Sequence, residues 1–408
     1  MISVLFVESG RTGGGSFESL YQHLRVIDRG RFRPVVVSLN HNYWVRAVRE
    51  LGVPVHVLVD GLYSRHAPPR MRRVAAELRL RALQIGRLIP SAYLKIIPWI
   101  HRPLIDSLTR LVRSEGIDIL HLNVQVYRDL FGLFAARKTG AICISHLRSA
   151  DPRTRHEFRR SMAAFSNDVV AGFIANSNMT AEYWWERGIA PGKTWIVHNA
   201  IPPSESTPFD VRETWRIADR SAFIVGCVAP LRNRIKVDEF LVRGFARFLK
   251  RYPNAVLLVV GEGPMKEVLD RESRALGVKN HVIFAGFQEN AKGIIGGLDV
   301  SLVLSSYDSF SRVVLETMEA GTCLVATDAG GVREIVQHEQ NGLLIPYGDE
   351  EAFANAVERL AADDQLRSKL IENGRQTIQE HFSIQRYASD IEKIYLHLAA
   401  ERQPSEIR

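Results

Sequence analysis

The chain has 408 residues, 46% apolar and 24% charged, with 29 glycines and 17 prolines and no low-complexity tract. At roughly 150 residues per domain, this length gives two or three domains with cores large enough to fold without disulfides or metals. Cys143, Cys227 and Cys323 stand singly among apolar residues, which excludes a disulfide framework or a Cys-x-x-Cys motif and predicts buried thiols in a reducing compartment.

The formal charge is +8, and its excess is local: between Tyr63 and Arg113 eleven Lys and Arg face only Glu77 and Asp106. The start, Met1-Ile2-Ser3-Val4-Leu5-Phe6-Val7-Glu8, has no basic leader and meets an acid after a few apolar residues, so a cytoplasmic protein is expected. Apolar runs such as Ala255–Val260 fall far short of the roughly 18 residues that span a bilayer.

In chain order, the pattern predicts a strand at Ile2–Val7, a loop carrying Gly10, Gly13, Gly14 and Gly15, a helix from about Ser16 and a second strand at Pro34–Ser38. Further short apolar strands are predicted at Val55–Val59, Ile117–Leu122, Ala141–Ser145, Gly172–Ala175 and Trp195–Val197, separated by stretches of helical period. A Pro- and Ser-containing stretch, Ile201–Pro208, reads as a linker. The alternation restarts with strands at Phe223–Val228, Ala255–Val260, Val282–Phe284, Val300–Leu304, Cys323–Thr327 and Leu343–Ile345, and Glu350–Ala400 is nearly all helical in period. The expected fold class is α/β: two Rossmann-like, doubly wound domains, 1–203 and 204–408, facing each other across a cleft. The basic segment 63–113 reads as a helical insertion in the first domain and the helical tail belongs with the second.

The richest stretch runs from Leu304 to Gly321. A strand ends near Leu304, a polar loop holds Asp308, and Ser309 or Ser311 is placed to cap a helix that presents Glu316 about a turn and a half in. Free amides and the dipole at a helix start favour a phosphate, while a carboxylate accepts hydrogen bonds from both hydroxyls of a diol. That combination suits a sugar nucleotide. Solvated acids around an ordinary helix start give the same spacing taken alone.

Here the spacing continues through a buried strand, Cys323–Thr327, into Asp328-Ala329-Gly330-Gly331, Glu334 and Asn341-Gly342-Leu343-Leu344. Over roughly Ala222–Asp349 this closely resembles the group 1 glycosyltransferases, glycosyltransferase family 4, with the GT-B fold. The resemblance implies a retaining transfer from a nucleotide-sugar donor. It places Asp308, in a position usually held by Glu, on the donor sugar, and Glu316 on the ribose diol. Phe310 and Ser311 lie in the same donor-binding loop.

The segment Val225–Asp238 resembles the one where the family sets an Arg and a Lys on the donor diphosphate. Lys236 matches; the usual place of the Arg holds Pro230, which leaves Arg232 or Arg234 for that role, and the following Gly is Val237. Two fixed cations stabilise charge developing on a leaving diphosphate. Gly263, in Gly261-Glu262-Gly263-Pro264, and Phe287, after Gly286, fall where the family builds its base pocket, though each glycine also reads as a plain turn.

In the first half, the resemblance sets Gly14 and Gly15 under the donor diphosphate and sugar; no Lys-Ser/Thr follows them, so the loop is not a P-loop. His146 ends a strand where the family often has a His near the reacting carbon, and with Asp308 it makes the expected catalytic pair. His121 also matches a family His. A histidine ending a strand is also commonly structural.

No Asp-x-Asp and no metal-ligand spacing is present, so no metal or other cofactor is expected. No Gly-x-Ser-x-Gly supports acyl transfer. The expected partners are the nucleotide-sugar donor and a saccharide, lipid-linked or small-molecule acceptor. Segment 63–113, with arginines among Leu78, Leu83, Ile97 and Trp99, suits either a peripheral contact with the anionic inner face of a membrane or packing on the first domain. No nucleic-acid module is recognised. Two alternatives use the same architecture: a sugar-nucleotide epimerase, and a degenerate homologue that binds a nucleotide sugar without turnover.

Overall fold

The computed structural model describes residues 1–10, 15–58, 90–150, 160–203 and 209–402. The chain divides into two compact units, Met1–His198 with Ile384–Arg408, and Asn199–Ser383.

The first unit is built on a seven-stranded sheet ordered β3-β2-β1-β4-β5-β6-β7, every neighbouring pair parallel. Its strands are β1 (Ile2–Glu8), β2 (Phe32–Ser38), β3 (Val55–Val57), β4 (Ile119–Leu122), β5 (Ile142–Leu147), β6 (Val170–Ala175) and β7 (Thr194–Ile196). The second unit carries a six-stranded parallel sheet, β10-β9-β8-β11-β12-β13. These strands are β8 (Ile224–Val228), β9 (Val256–Val260), β10 (Val282–Gly286), β11 (Val300–Val303), β12 (Cys323–Thr327) and β13 (Leu343–Ile345).

Strands such as Val256-Leu257-Leu258-Val259-Val260 are apolar on both faces because crossover helices cover both faces of a parallel sheet. In the second unit Leu257 and Val259 join one core with Phe245, Phe248 and Phe353, while Leu258 and Val260 join another with Val211 and Ile294. In each sheet the chain starts in the middle, winds outward, then returns to the other side of its first strand. The order therefore reverses between β1 and β4 and between β8 and β11.

Two expectations are corrected. The helical tail does not stay together: its last helix, Ile384–Arg402, belongs to the first unit. Tyr387 packs edge-on against His23 at 5.6 Å, Tyr395 lies against Phe32 and His121, and Glu392 accepts the Asp28 amide at 2.9 Å. Its apolar stripe, Tyr387, Ile391, Ile394, Tyr395 and Leu398, announced burial but not the surface that buries it.

The basic stretch is likewise not one insertion. Helix Arg102–Ser114 is the crossover leading into β4, with Leu104, Ile105, Leu108 and Val112 in the core of the first unit. Residues 63–89 lie outside the described residues, and helix Pro90–Ile100 carries Trp99 68% exposed. No described helix is long and apolar enough to cross a membrane. The three cysteines are buried free thiols.

Candidate functional site

In an open parallel sheet, ligands bind beyond the carboxyl ends of the strands where the strand order reverses. At that edge of the second sheet the loops after β8, β9, β11 and β12 hold one another in place. The Ala229 amide donates to Val260 O at 3.0 Å and the Leu231 amide to Glu262 O at 3.0 Å. Gly263, at φ +144°, admits this contact, because a Cβ there would lie 2.2 Å from Leu231 O. What Gly263 meets is therefore backbone of its own unit.

The Ser306 amide donates to Ile235 O at 2.8 Å, tying the loop after β11 to the loop after β8. On the other side, the Gly331 amide donates to Asp308 O at 2.8 Å, and a Cβ on Gly331 would lie 2.0 Å from Ser309 O. These ties bring Lys236 Nζ to 2.6 Å from Asp308 Oδ2, a charge-assisted bond between loops 72 residues apart in sequence. The Asp308 side chain is 9% exposed and that of Lys236 38%, so the acid is sheltered and the ammonium reaches solvent.

The two candidate arginines differ. Arg234 forks onto Glu239 with bonds of 2.5 and 2.7 Å. Arg232 is exposed and makes no ion pair among the described residues. Val237, standing where the resemblance expects Gly, is fully buried in the core of the unit.

Helix Arg312–Ala320 begins directly after this loop, with Ser311 at its N-cap in extended backbone. Of the two serines expected to cap it, Ser311 occupies the N-cap position but supplies no capping hydrogen bond. Glu316 lies on this helix, mostly buried, 3.5 Å from the Arg312 guanidinium. Phe310 turns inward, 4% exposed and edge-on to Phe382 at 5.7 Å, so its ring anchors the loop in the core. Phe287 is 66% exposed.

In the first unit Gly14 lies outside the described residues, and Gly15 opens helix Gly15–Val26 with its backbone exposed. His146, one residue before the end of β5, is buried, its ring stacked on His121 at 4.7 Å. Tyr395 Oη sits 2.5 Å from His121 Nδ1. Burial pushes both imidazoles well below their usual range, with the Arg148 charge adding to the effect, and His23 beside them falls to about 3.

Sequence reasoning missed a buried polar network at the β1/β4 reversal. The Glu8 carboxylate, fully buried at the end of β1, accepts from the Gly10 amide, Ser16 Oγ and Asn123 Nδ2. Arg148, just past β5, donates to Asn123 O and Oδ1 at 2.6 and 2.7 Å. Burial raises the Glu8 carboxyl, against the Asn123 bond and the Arg148 charge. Asp129 accepts from the Val124 and Gln125 amides and is pushed by burial to about 7. The one sequence signal was an acid closing an apolar strand. Among the described residues no group of three His, Cys, Asp or Glu is placed to hold a metal.

Two parallel sheets of Rossmann order, the second with a cation–carboxylate pair in the loop before a helix start, define a GT-B glycosyltransferase architecture. The family model for Glycosyl transferases group 1 matches residues 216–377, and that for Glycosyltransferase Family 4 matches residues 42–205. The chain belongs to this glycosyltransferase family, whose members are retaining enzymes. It is 34% identical over 152 residues to the lipopolysaccharide core biosynthesis glycosyltransferase LpsE of Rhizobium meliloti, covering 37% of this chain and 44% of that protein. It is 23% identical over 377 residues to the N-acetyl-alpha-D-glucosaminyl L-malate synthase of Bacillus anthracis, covering 89% and 94%. The chain spans about half the length of the first curated relatives that it matches at 30% identity or more. The solved structure of Anabaena HepE in complex with UDP-glucose has the same fold, with a TM-score of 0.76, 19% identity and coverage of 97% of this chain and 100% of that one.

Proposed function

We propose that the protein transfers a hexosyl group from a nucleotide-sugar donor to a saccharide, lipid-linked or small-molecule acceptor, with retention and without a metal. The observation that carries this is the Lys236–Asp308 pair at 2.6 Å in the loop that leads into helix Arg312–Ala320. The second unit holds the donor. Its diphosphate lies against Lys236, Arg232 and the amides at the start of helix Arg312–Ala320, and the ribose hydroxyls bond to Glu316. Asp308 accepts a hydroxyl of the donor sugar once a phosphate shares the Lys236 ammonium. Gly263 and Phe287 border the base; Phe310 and Ser311 shape the loop.

The first unit carries the acceptor side, with Gly14, Gly15 and His146 serving the donor as the family resemblance implies. No side chain acts as nucleophile. The departing phosphate takes the acceptor proton on the same face of the sugar, so the protein contributes orientation and stabilisation of developing charge. The part of LpsE in lipopolysaccharide core biosynthesis favours an envelope saccharide as acceptor, and the UDP-glucose held by HepE makes UDP-glucose the first donor to try. The protein works in the cytoplasm, and exposed Trp99 and Lys95 on helix Pro90–Ile100 support a peripheral contact with the anionic inner face of the membrane.

The test is turnover of UDP-, GDP- and ADP-sugars without metal, followed by NMR of the product. An α-linked product from an α-linked donor is expected. A β-linked product overturns retention, and release of an isomerised nucleotide sugar with no acceptor identifies an epimerase instead.

A further inference from the structure

The Glu8 network has a shape that a merely structural ion pair does not need. One carboxylate oxygen, Oε1, takes both the Gly10 amide and Ser16 Oγ, each at 3.0 Å. Gly10 and Ser16 stand on opposite sides of the glycine-rich run, one as the chain leaves β1 and the other in the first turn of helix Gly15–Val26. The other oxygen, Oε2, takes Asn123 Nδ2 at 2.5 Å, and the same amide group donates to Ser16 O at 3.0 Å. Asn123 is in turn gripped by Arg148 through its backbone and side-chain oxygens. A single buried acid thus ties both ends of the glycine-rich run to the ends of β4 and β5, at the point of the sheet where ligands bind.

We infer that Glu8 is a positioning residue for sugar transfer, holding the departure and return of the glycine-rich run in the spacing that the reaction requires, with Asn123 and Arg148 as its support. This rests on the donor-transfer reading above. A group held by three donors on fixed elements loses its geometry if its own hydrogen-bonding pattern changes. Glutamine keeps the size of Glu8 but brings a donor of its own, so it faces either Asn123 Nδ2 or the Gly10 and Ser16 donors with hydrogen against hydrogen. Converting Asn123 to Asp gives the amide introduced by Glu8→Gln an acceptor and leaves Arg148 a partner, at the cost of the bond to Ser16 O, so rescue is expected to be partial.

The experiment compares the full-length protein with Glu8→Gln, Glu8→Gln/Asn123→Asp and the milder Ser16→Ala. It measures melting temperature together with kcat and KM for consumption of the nucleotide sugar that the unaltered protein turns over. A displacement of about 1 Å in a positioning element costs about a hundredfold in rate, so Glu8→Gln is expected to lose kcat on that scale. Ser16→Ala falls in the same direction with its melting temperature kept, and the double variant recovers at least tenfold over Glu8→Gln. Unchanged kcat and KM in Glu8→Gln and Ser16→Ala overturn the inference, and so does a double variant that regains melting temperature without regaining rate. If the unaltered protein consumes no nucleotide sugar, the transfer reading itself fails. Turnover by the unaltered protein with indifferent variants sinks only the role of Glu8.

Discussion

The Lys236 ammonium and the Asp308 carboxylate meet at 2.6 Å, although they leave different strands of the sheet and belong to loops joined mainly through the Ser306–Ile235 backbone bond. In the proposed donor site a phosphate competes for the cation, and a sugar hydroxyl then takes up the carboxylate. Lys236→Met is expected to lower kcat by about a hundredfold or more, the scale for removing one oriented donor from developing charge. Asp308→Glu, which restores the length usual in the family, is expected to change the ranking of donor sugars rather than abolish turnover. Steady-state rates over a panel of donors check both; an Asp308→Glu variant with unchanged ranking contradicts the assigned contact.

Arg232 and Arg234 are separated by their engagements. Arg232→Ala removes a cation with no ion-pair partner among the described residues and is expected to weaken a nucleoside diphosphate by about 1.5–3 kcal/mol, the scale of a hydrogen bond to a charged group. Arg234→Ala disrupts a pair with Glu239 and leaves nucleotide affinity within about threefold, since 0.6 kcal/mol is a factor near three. Calorimetric titration with UDP, GDP and ADP decides; the opposite ordering moves the diphosphate contact to Arg234.

The last helix completes the first unit. A chain ending at Ser383 uncovers the surfaces that Tyr387, Ile391 and Tyr395 bury and takes the phenol from His121. Losing several fully buried large side chains costs about 2–5 kcal/mol for each in mutational series, a large share of the 5–15 kcal/mol that holds a domain together. Loss of the cooperative melting transition of the first unit is expected, read by circular dichroism and soluble yield. A soluble truncated protein with an unchanged transition contradicts the packing described.

Acid destabilises the first unit through its imidazoles. His23 falls to about 3 in the folded chain from its usual 6.5, and His121 and His146 fall well below it, burial being the main cause. Below pH 6.5 the unfolded chain binds protons that the folded one refuses, so their contribution to stability is complete above 6.5 and is lost as pH falls toward 3. Asp129, raised to about 7, and Glu8, also raised, work the other way, taking up protons in the folded chain between their folded and unfolded values. On acidification the imidazoles pull the melting temperature down and the two carboxyls pull it up, so the slope of the acid limb is the difference between them. His23→Phe is expected to flatten this limb between pH 6 and 4, and a limb of unchanged slope shows that His23 takes up a proton without unfolding.

Much of this was legible in the sequence, and what was not has a common cause. The thirteen strands among the described residues announced themselves because short apolar runs of both-face burial alternate with helical periods. Lys236, Asp308 and Glu316 were legible as local motifs; that the first two touch was not, because the Gly331–Asp308 and Ser306–Ile235 bonds that bring them together are tertiary. That Ser311 takes the N-cap position without making a capping bond is likewise not legible from residue type. Glu8 passed as the end of an apolar run, its partners Asn123 and Arg148 lying more than a hundred residues away.

The most direct test of a donor site in the second unit is a metal-free thermal-shift titration of the full-length protein and of Glu316→Ala with UDP, GDP and ADP. Saturation at a hundred times the dissociation constant adds about 2.7 kcal/mol of stability, a shift readily seen. One nucleoside diphosphate is expected to raise the melting temperature of the unaltered protein, and the same concentration to leave Glu316→Ala nearly unmoved. No shift with any of the three, or an equal shift in both proteins, contradicts the site described here.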